Sequence, residues 1–200
     1  METSTINFNK LLYYGPKTLN GTDTVYYELG NIKLPTLNNN SISLKYFDTI
    51  NYPLLTLTFI KPEYLKENMR LEGLLDYTTH KKDDINALPL LIIFPKTDSI
   101  ATVEYNLKDS LSITLTNVEQ CYWNRSSFDS MNVSFFKSKP SHVDYSCIVL
   151  LDKKRHIRGY YDARFAVEVK RLLSEYQHLR IREEKNTMLK ENEIKDEKPK

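Results

Sequence analysis

The sequence predicts an α/β fold in which a central mixed sheet is flanked by helices, with an N-terminal arm and a C-terminal helix. Two nearly continuous apolar runs, residues 54–60 and 87–95, are typical of strands that are buried on both faces. A third run, residues 148–151, is followed by a polar turn and a second short strand. After Asp162 the apolar spacing changes from the strand period to about 3.6 residues, which indicates a helix.

Length and composition indicate one domain with tails. A chain of 200 residues with 40% apolar content can bury a full core without disulfides or metals. We expect an arm over residues 1–27, the domain over 28–182, and a charged tail over 183–200 that is solvated helix fraying into disorder. The 28 basic and 26 acidic residues are spread along the chain, so the sequence gives no sign of a nucleic-acid partner.

Short extended segments are predicted near the N-terminus. Gly15 and Pro16 break regular structure, whereas residues 24–27 favour an extended segment that packs along the domain. Residues 32–35 and 41–44 flank three asparagines, which predicts two short strands joined by a turn.

The two apolar runs are predicted to belong to one strand–helix–strand unit. Pro62 and Glu63 suit the first turn of a helix, and apolar residues then recur at helical spacing up to Leu75. A connection of this length predicts parallel strands and a right-handed crossover. Residues 96–140 are less regular: 111–116 and 133–136 predict short strands, and 103–105 fit a helix or a strand.

The C-terminal third predicts a hairpin followed by a helix. Residues 148–151 form a buried strand, 152–155 the turn and 156–161 the returning strand. One face of the following helix is apolar and should lie on the sheet. Its residues are Phe165, Ala166, Val169, Leu172, Leu173, Tyr176 and Leu179.

Residues 150–162, LLDKKRHIRGYYD, followed by an amphipathic helix, resemble the C-terminal signature of the Sco/SenC family. Members of this family are thioredoxin-like proteins that deliver copper to cytochrome oxidase. Residues 13–17, YYGPK, are similar to the arm that follows the membrane anchor in Bacteroidetes-like members, and residues 32–44 are similar to the family's first hairpin. The resemblance covers residues 11–180 and implies a thioredoxin-like fold.

The same resemblance implies that the family's chemistry is missing. In the family the central strand leads into a CPxxxC motif, and matching its proline to Pro62 puts Lys61 at the first cysteine and Leu65 at the second. An ammonium repels Cu(I) and a leucine offers no lone pair, so we expect neither bound copper nor dithiol exchange. The family's histidine ligand aligns with Asp144, and His142 is a weak candidate two residues earlier.

One further difference from the family lies in the hairpin turn. The family has a glycine where this chain has Arg155. The resemblance therefore implies that the turn is either strained at this residue or of another type.

These observations favour a non-catalytic Sco-like protein with a binding or accessory role linked to the respiratory oxidase or to redox homeostasis, with an unknown protein partner and no cofactor. The alternative is a divergent metal-binding or thiol-redox protein that uses Cys121, Cys147 and His142. We expect the two cysteines to be small buried hydrophobic residues, although a disulfide between them stays open. A peroxidase-like enzyme needs a cysteine at a helix N-terminus, and the helix near Pro62 has none.

Other candidate sites have simpler interpretations. His80 and the aspartates that follow it lie in a lysine-containing stretch that is typical of a solvated loop. Arg155, His156 and Arg158 suggest an anion-binding patch, but we expect them to be solvent-facing residues of an edge strand. Trp123 is expected to be a core or loop anchor. The sequence has no Walker loop and no GxSxG, HExxH or GxGxxG motif.

The sequence also bears on location. Polar residues follow Met1, no secretory signal is recognisable, and no run approaches the ~20 apolar residues of a membrane-spanning helix. The expected location is cytoplasmic, or the periplasmic face of a membrane if an anchor precedes this chain.

Overall fold

The computed structural model describes residues 12–30, 33–35, 41–43, 55–59, 73–74, 76, 88–96, 118–136 and 147–196. The strands are β1 (Lys17–Asn20), β2 (Asp23–Tyr26), β3 (Lys33–Pro35), β4 (Ser41–Ser43), β5 (Leu55–Phe59), β6 (Leu90–Lys96), β7 (Val118–Asn124), β8 (Cys147–Leu151) and β9 (Ile157–Asp162). The helices are α1 (Arg125–Phe136) and α2 (Ala166–Asp196).

A mixed five-stranded sheet with the order β7-β6-β5-β8-β9 forms the centre of the described structure. Strands β5, β6 and β7 are parallel to one another, whereas β8 runs antiparallel to both β5 and β9. The central position of β5 and its parallel pairing with β6 confirm the predicted strand–helix–strand arrangement. Of the predicted crossover helix, Gly73, Leu74 and Asp76 are helical, and the rest lies outside the described residues.

Both faces of the sheet are buried. In β8, Ile148 and Leu150 belong to the core cluster under α2, and Val149 belongs to the cluster on the opposite face. That opposite cluster also contains Phe128 of α1 and Leu29 of the N-terminal arm. The continuous apolar run in β8 therefore reflects a strand that is covered on both sides, as predicted.

Helix α2 lies on the sheet through the apolar face predicted for it. Its buried residues are Val169, Leu172, Leu173, Tyr176 and Leu179. Phe165 was included in this face, and that prediction is wrong: it precedes the helix and is 52% exposed. The charged stretch that begins at Glu183 is helical as far as Asp196. Neither this helix nor any other in the described ranges is apolar over the length that a bilayer requires.

Helix α1 replaces a predicted strand. The sequence predicts a strand at residues 133–136, but these residues end α1. The Asn124 side chain caps the helix by accepting a hydrogen bond from the backbone N–H of Ser127 at 2.8 Å. The preceding strand β7 was not predicted, and the predicted segments at 103–105 and 111–116 lie outside the described residues.

The N-terminal arm covers the outer edge of β9. The backbone N–H of Tyr14 donates to the carbonyl of Ile157 at 2.9 Å, and the N–H of Leu29 donates to the carbonyl of Arg155 at 3.1 Å. These hydrogen bonds occupy backbone carbonyls at the edge of the sheet that would otherwise have no partner strand. The predicted packing of the arm along the domain is confirmed, as is the predicted pair of short strands, now β3 and β4.

Candidate functional site

The Sco-like site is expected where the carboxyl end of β5 meets the start of β8. These strands are antiparallel, and Leu57 pairs with Val149, so Cys147 at the start of β8 lies near this edge. Lys61, Leu65, His142 and Asp144, which the sequence places at the site, lie outside the described residues. The assignment of these four residues to the site therefore stays a prediction.

The two cysteines are buried on the same face of the sheet but far apart. Neither is part of a disulfide, both have 0% exposure, and both belong to the core cluster that contains Phe128. Cys121 is in β7 and Cys147 is in β8, and two strands separate β7 from β8. Three interstrand spacings put their Cα atoms about 14 Å apart, whereas a disulfide requires less than about 7 Å.

This separation decides the alternatives that the sequence left open for the cysteines. Their prediction as small buried hydrophobic residues is confirmed. A disulfide between Cys121 and Cys147 is excluded, and so is one metal ion held by both sulfurs, because Zn–S or Cu–S bonds of about 2.3 Å cannot bridge such a gap. No other cysteine exists in the sequence.

Cys121 also lacks the reactivity of a redox thiol. Burial, and to a smaller extent the Glu119 carboxylate, raises the pKa of this thiol from 9.0 to about 12. The thiol is therefore protonated at neutral pH, whereas nucleophilic and metal-binding cysteines act as thiolates. Cys121 lies within strand β7 and not at the start of a helix, which is the position that lowers the pKa of reactive cysteines.

We expect native protein at pH 8 to show no fast reaction of either cysteine with Ellman's reagent. Both sulfurs are buried, and Cys121 stays protonated until the pH approaches 12. After unfolding in guanidinium chloride, two thiols per chain should react. Rapid stoichiometric reaction of the native protein would contradict the buried positions of these residues.

The β8–β9 turn shows how the chain accommodates Arg155 in place of a glycine. Arg155 has a φ of 65°, which is the left-handed region and costs a residue with a Cβ about 1–2 kcal/mol. The Asp152 carboxylate holds the turn by accepting hydrogen bonds from the backbone N–H groups of Lys154 at 2.9 Å and His156 at 3.0 Å. Of the two outcomes expected for this turn, the structure shows the strained one.

A buried ion pair lies behind this turn. The Arg158 guanidinium donates to the second oxygen of Asp152 at 3.0 Å, and the two side chains are only 5% and 6% exposed. The guanidinium also lies 4.1 Å from the ring centroid of Tyr13, and its Nε donates to the carbonyl of Leu12 at 3.3 Å. The expectation that Arg155 and Arg158 face solvent is therefore wrong, because both are buried.

The remaining candidate residues add no catalytic or metal site to the described structure. Trp123 is half-buried in β7 and packs against the core cluster around Phe128, which confirms its prediction as an anchor. His80 and its neighbouring aspartates lie outside the described residues. Within the described ranges, no three His, Cys, Asp or Glu side chains are grouped so that they could hold a metal ion.

Comparison with known proteins identifies the fold. No protein-family model and no curated protein matches the sequence. A SCO1/SenC family lipoprotein from Bacillus anthracis superimposes with a TM-score of 0.57 at 9% identity, covering 78% of this chain and 96% of that one. BsSco, a member of the Sco family of cytochrome c oxidase assembly proteins, gives 0.55 at 14% identity, with coverages of 80% and 96%.

The likeness extends to proteins associated with disulfide chemistry. A putative protein disulfide isomerase from Bacteroides thetaiotaomicron gives a TM-score of 0.50 at 12% identity, covering 84% of this chain and 94% of that one. At these identities the likeness establishes the fold alone. The chain is thus a thioredoxin-like α/β protein, and Sco-family proteins are among the structures that share its fold.

Proposed function

We propose that this protein is a non-catalytic Sco-like thioredoxin-fold protein that has lost the copper and dithiol site and acts in binding or as an accessory factor. The observation that supports this proposal most directly is that two strands separate the only two cysteines of the sequence. A CxxxC-type site needs two cysteines four positions apart in the sequence. In this chain the positions that align with those cysteines are occupied by Lys61 and Leu65.

The structure of the hairpin supports the proposal that a Sco-like scaffold is present without the copper and dithiol site. The segment that resembles the Sco signature forms β8, the turn and β9, and its side chains pack in the core and in a buried ion pair. The likeness of its residues to that signature is thus accounted for by folding requirements. We infer that the protein retains a Sco-like scaffold for a binding or accessory role linked to the respiratory oxidase or to redox homeostasis.

The same geometry argues against the alternative function, that of a metal-binding or thiol-redox protein. Cys121 and Cys147 cannot act together, so such a protein would depend on one of them with His142 or with other groups. The protonated, buried Cys121 thiol is a poor ligand for this purpose. One cysteine and one histidine also fall short of the three ligands expected in the Sco family.

The test is a Cu(I) titration of the purified full chain under anaerobic conditions against a chromophoric chelator. We expect the protein to take no copper from a chelator that binds Cu(I) in the picomolar range or tighter, because soft thiolate ligands are missing. Stoichiometric removal of copper from the chelator would contradict the proposal.

A double variant provides the matched positive control. Lys61→Cys with Leu65→Cys supplies two thiols at the positions that the resemblance assigns to the motif. We expect this variant to compete for about one Cu(I) per chain, because two thiolates suffice for digonal Cu(I). Lys61→Ser with Leu65→Ser should behave like the unmodified chain.

A further inference from the structure

A cleft of about 610 Å³ lies between the β8–β9 turn and the distal half of α2, at the opposite end of the sheet from the Sco-like site. The turn contributes Lys153, Lys154 and His156, and the helix contributes Arg182, Glu183 and Asn186. This volume falls in the range of small-molecule sites in proteins. Nothing in the proposed function accounts for this cleft.

Its lining carries an excess of positive charge. Asp152 and Arg158, which form its inner wall, neutralise each other at 3.0 Å. Three cations, Lys153, Lys154 and Arg182, then face one carboxylate, Glu183, which leaves an excess of two positive charges. Within the described part of the chain none of these three cations makes an ion pair with a carboxylate.

The other groups of the lining restrict the kind of ligand. The Tyr13 ring already stacks on Tyr26, with centroids 4.4 Å apart, and contacts the Arg158 guanidinium at 4.1 Å, so it offers little surface for a base to stack on. The Thr187 hydroxyl donates to the carbonyl of Glu183 at 3.0 Å and is not a free donor. The donors of the lining thus include ammonium, guanidinium and amide groups, which suit phosphate oxygens.

We propose that this cleft binds a small, soluble, phosphate-bearing anion with two to three negative charges. The excess of positive charge matches such a ligand, and Arg182 supplies the planar fork that recognises phosphate in a bidentate manner. A membrane surface of anionic lipids fits less well, because the site is concave and contains the carboxylates of Asp152 and Glu183.

The proposal is tested with the full chain by isothermal titration calorimetry, using inorganic pyrophosphate as the probe. We expect saturable binding with one site per chain. The variant Lys154→Gln with Arg182→Gln removes two exposed charged donors and should weaken this binding at least tenfold. The matched control, Lys170→Gln with Lys185→Gln, has the same net charge but alters exposed residues outside the cleft and should bind within twofold of the unmodified chain.

A second variant makes the result independent of any loss of folding. Glu183→Gln removes the carboxylate that repels the anion and should tighten pyrophosphate binding several-fold. Absence of binding, or equal weakening by both double variants, would overturn the proposal. Flotation with phosphatidylserine vesicles that is lost in Lys154→Gln/Arg182→Gln, without saturable pyrophosphate binding, would overturn it in favour of a lipid surface.

Discussion

Replacing Asp152 with Asn is expected to lower the free energy of unfolding by about 3–5 kcal/mol, because it leaves the Arg158 guanidinium buried without its counter-charge. The two side chains are 5% and 6% exposed, so water can replace little of the lost interaction with the carboxylate. The Tyr13 ring and the Leu12 carbonyl still contact the guanidinium, and they place the expected loss near the lower end of this range.

Asparagine separates the ion pair from the geometry of the turn. Its side-chain oxygen can still accept the hydrogen bonds that the Asp152 carboxylate receives from the N–H groups of Lys154 and His156. The loss therefore measures the buried charge. Urea denaturation followed by circular dichroism gives the value, with the m-value showing whether the native state stays compact.

The chain contains a matched control for this substitution. Asp129 and Arg125 form an ion pair at 3.0 Å on α1, and each side chain is 49% exposed. Asp129→Asn should cost about 0.5 kcal/mol or less, because exposed pairs are screened by water. Equal losses at Asp152 and Asp129 would show that the Asp152–Arg158 pair is solvated in solution.

The contrast between these pairs shows what the sequence could and could not reveal about the fold. The buried strands and the apolar face of α2 follow from local periodicity, and the structure confirms them. The burial of Arg158 does not follow from local periodicity, because it depends on two features outside its own segment. A bulge pairs Leu150 with Gly159 but Leu151 with Ile157, which leaves Arg158 as the extra residue. Leu12 and Tyr13 then cover it from 146 and 145 positions away along the chain.

The same reasoning applies to α1 and to the candidate site. Two signals for α1 were available in the sequence: the capping residue Asn124, and the i, i+3, i+7 spacing of Phe128, Met131 and Phe135 within an otherwise serine-rich segment. For the candidate site, the sequence shows that the chain has two cysteines, but only the order of the strands shows how far apart they lie. The hairpin motif resembles a family signature, yet its residues act in packing, as Gly159 illustrates.

Replacing Gly159 with Ala is expected to cost about 2–3 kcal/mol, because the added methyl group would overlap the Tyr161 side chain. A Cβ at position 159 would lie 2.5 Å from Cζ of Tyr161 and would also overlap its hydroxyl. The ring cannot easily move away: Tyr161 is fully buried, its hydroxyl donates to the Glu175 carboxylate, and the Arg171 guanidinium lies 4.4 Å from its centroid. Thermal and urea unfolding measure the loss.

A double-variant cycle tests this cause of the Gly159→Ala loss. Tyr161→Phe alone should cost about 2 kcal/mol through the lost hydrogen bond to Glu175. The Tyr161→Phe change also removes the hydroxyl that the new methyl group would overlap, and it frees the ring to shift. The stability losses of the two single variants should therefore add up to about 1 kcal/mol more than the loss measured for the double variant. Gly30→Ala is the control and should change stability by less than about 0.5 kcal/mol, because among the described residues, its chain neighbours apart, no atom lies within 4 Å of a Cβ at that position. Additive losses at 159 and 161 would show that the added methyl group does not meet the Tyr161 side chain, since only contact between the two side chains predicts a coupling of this sign.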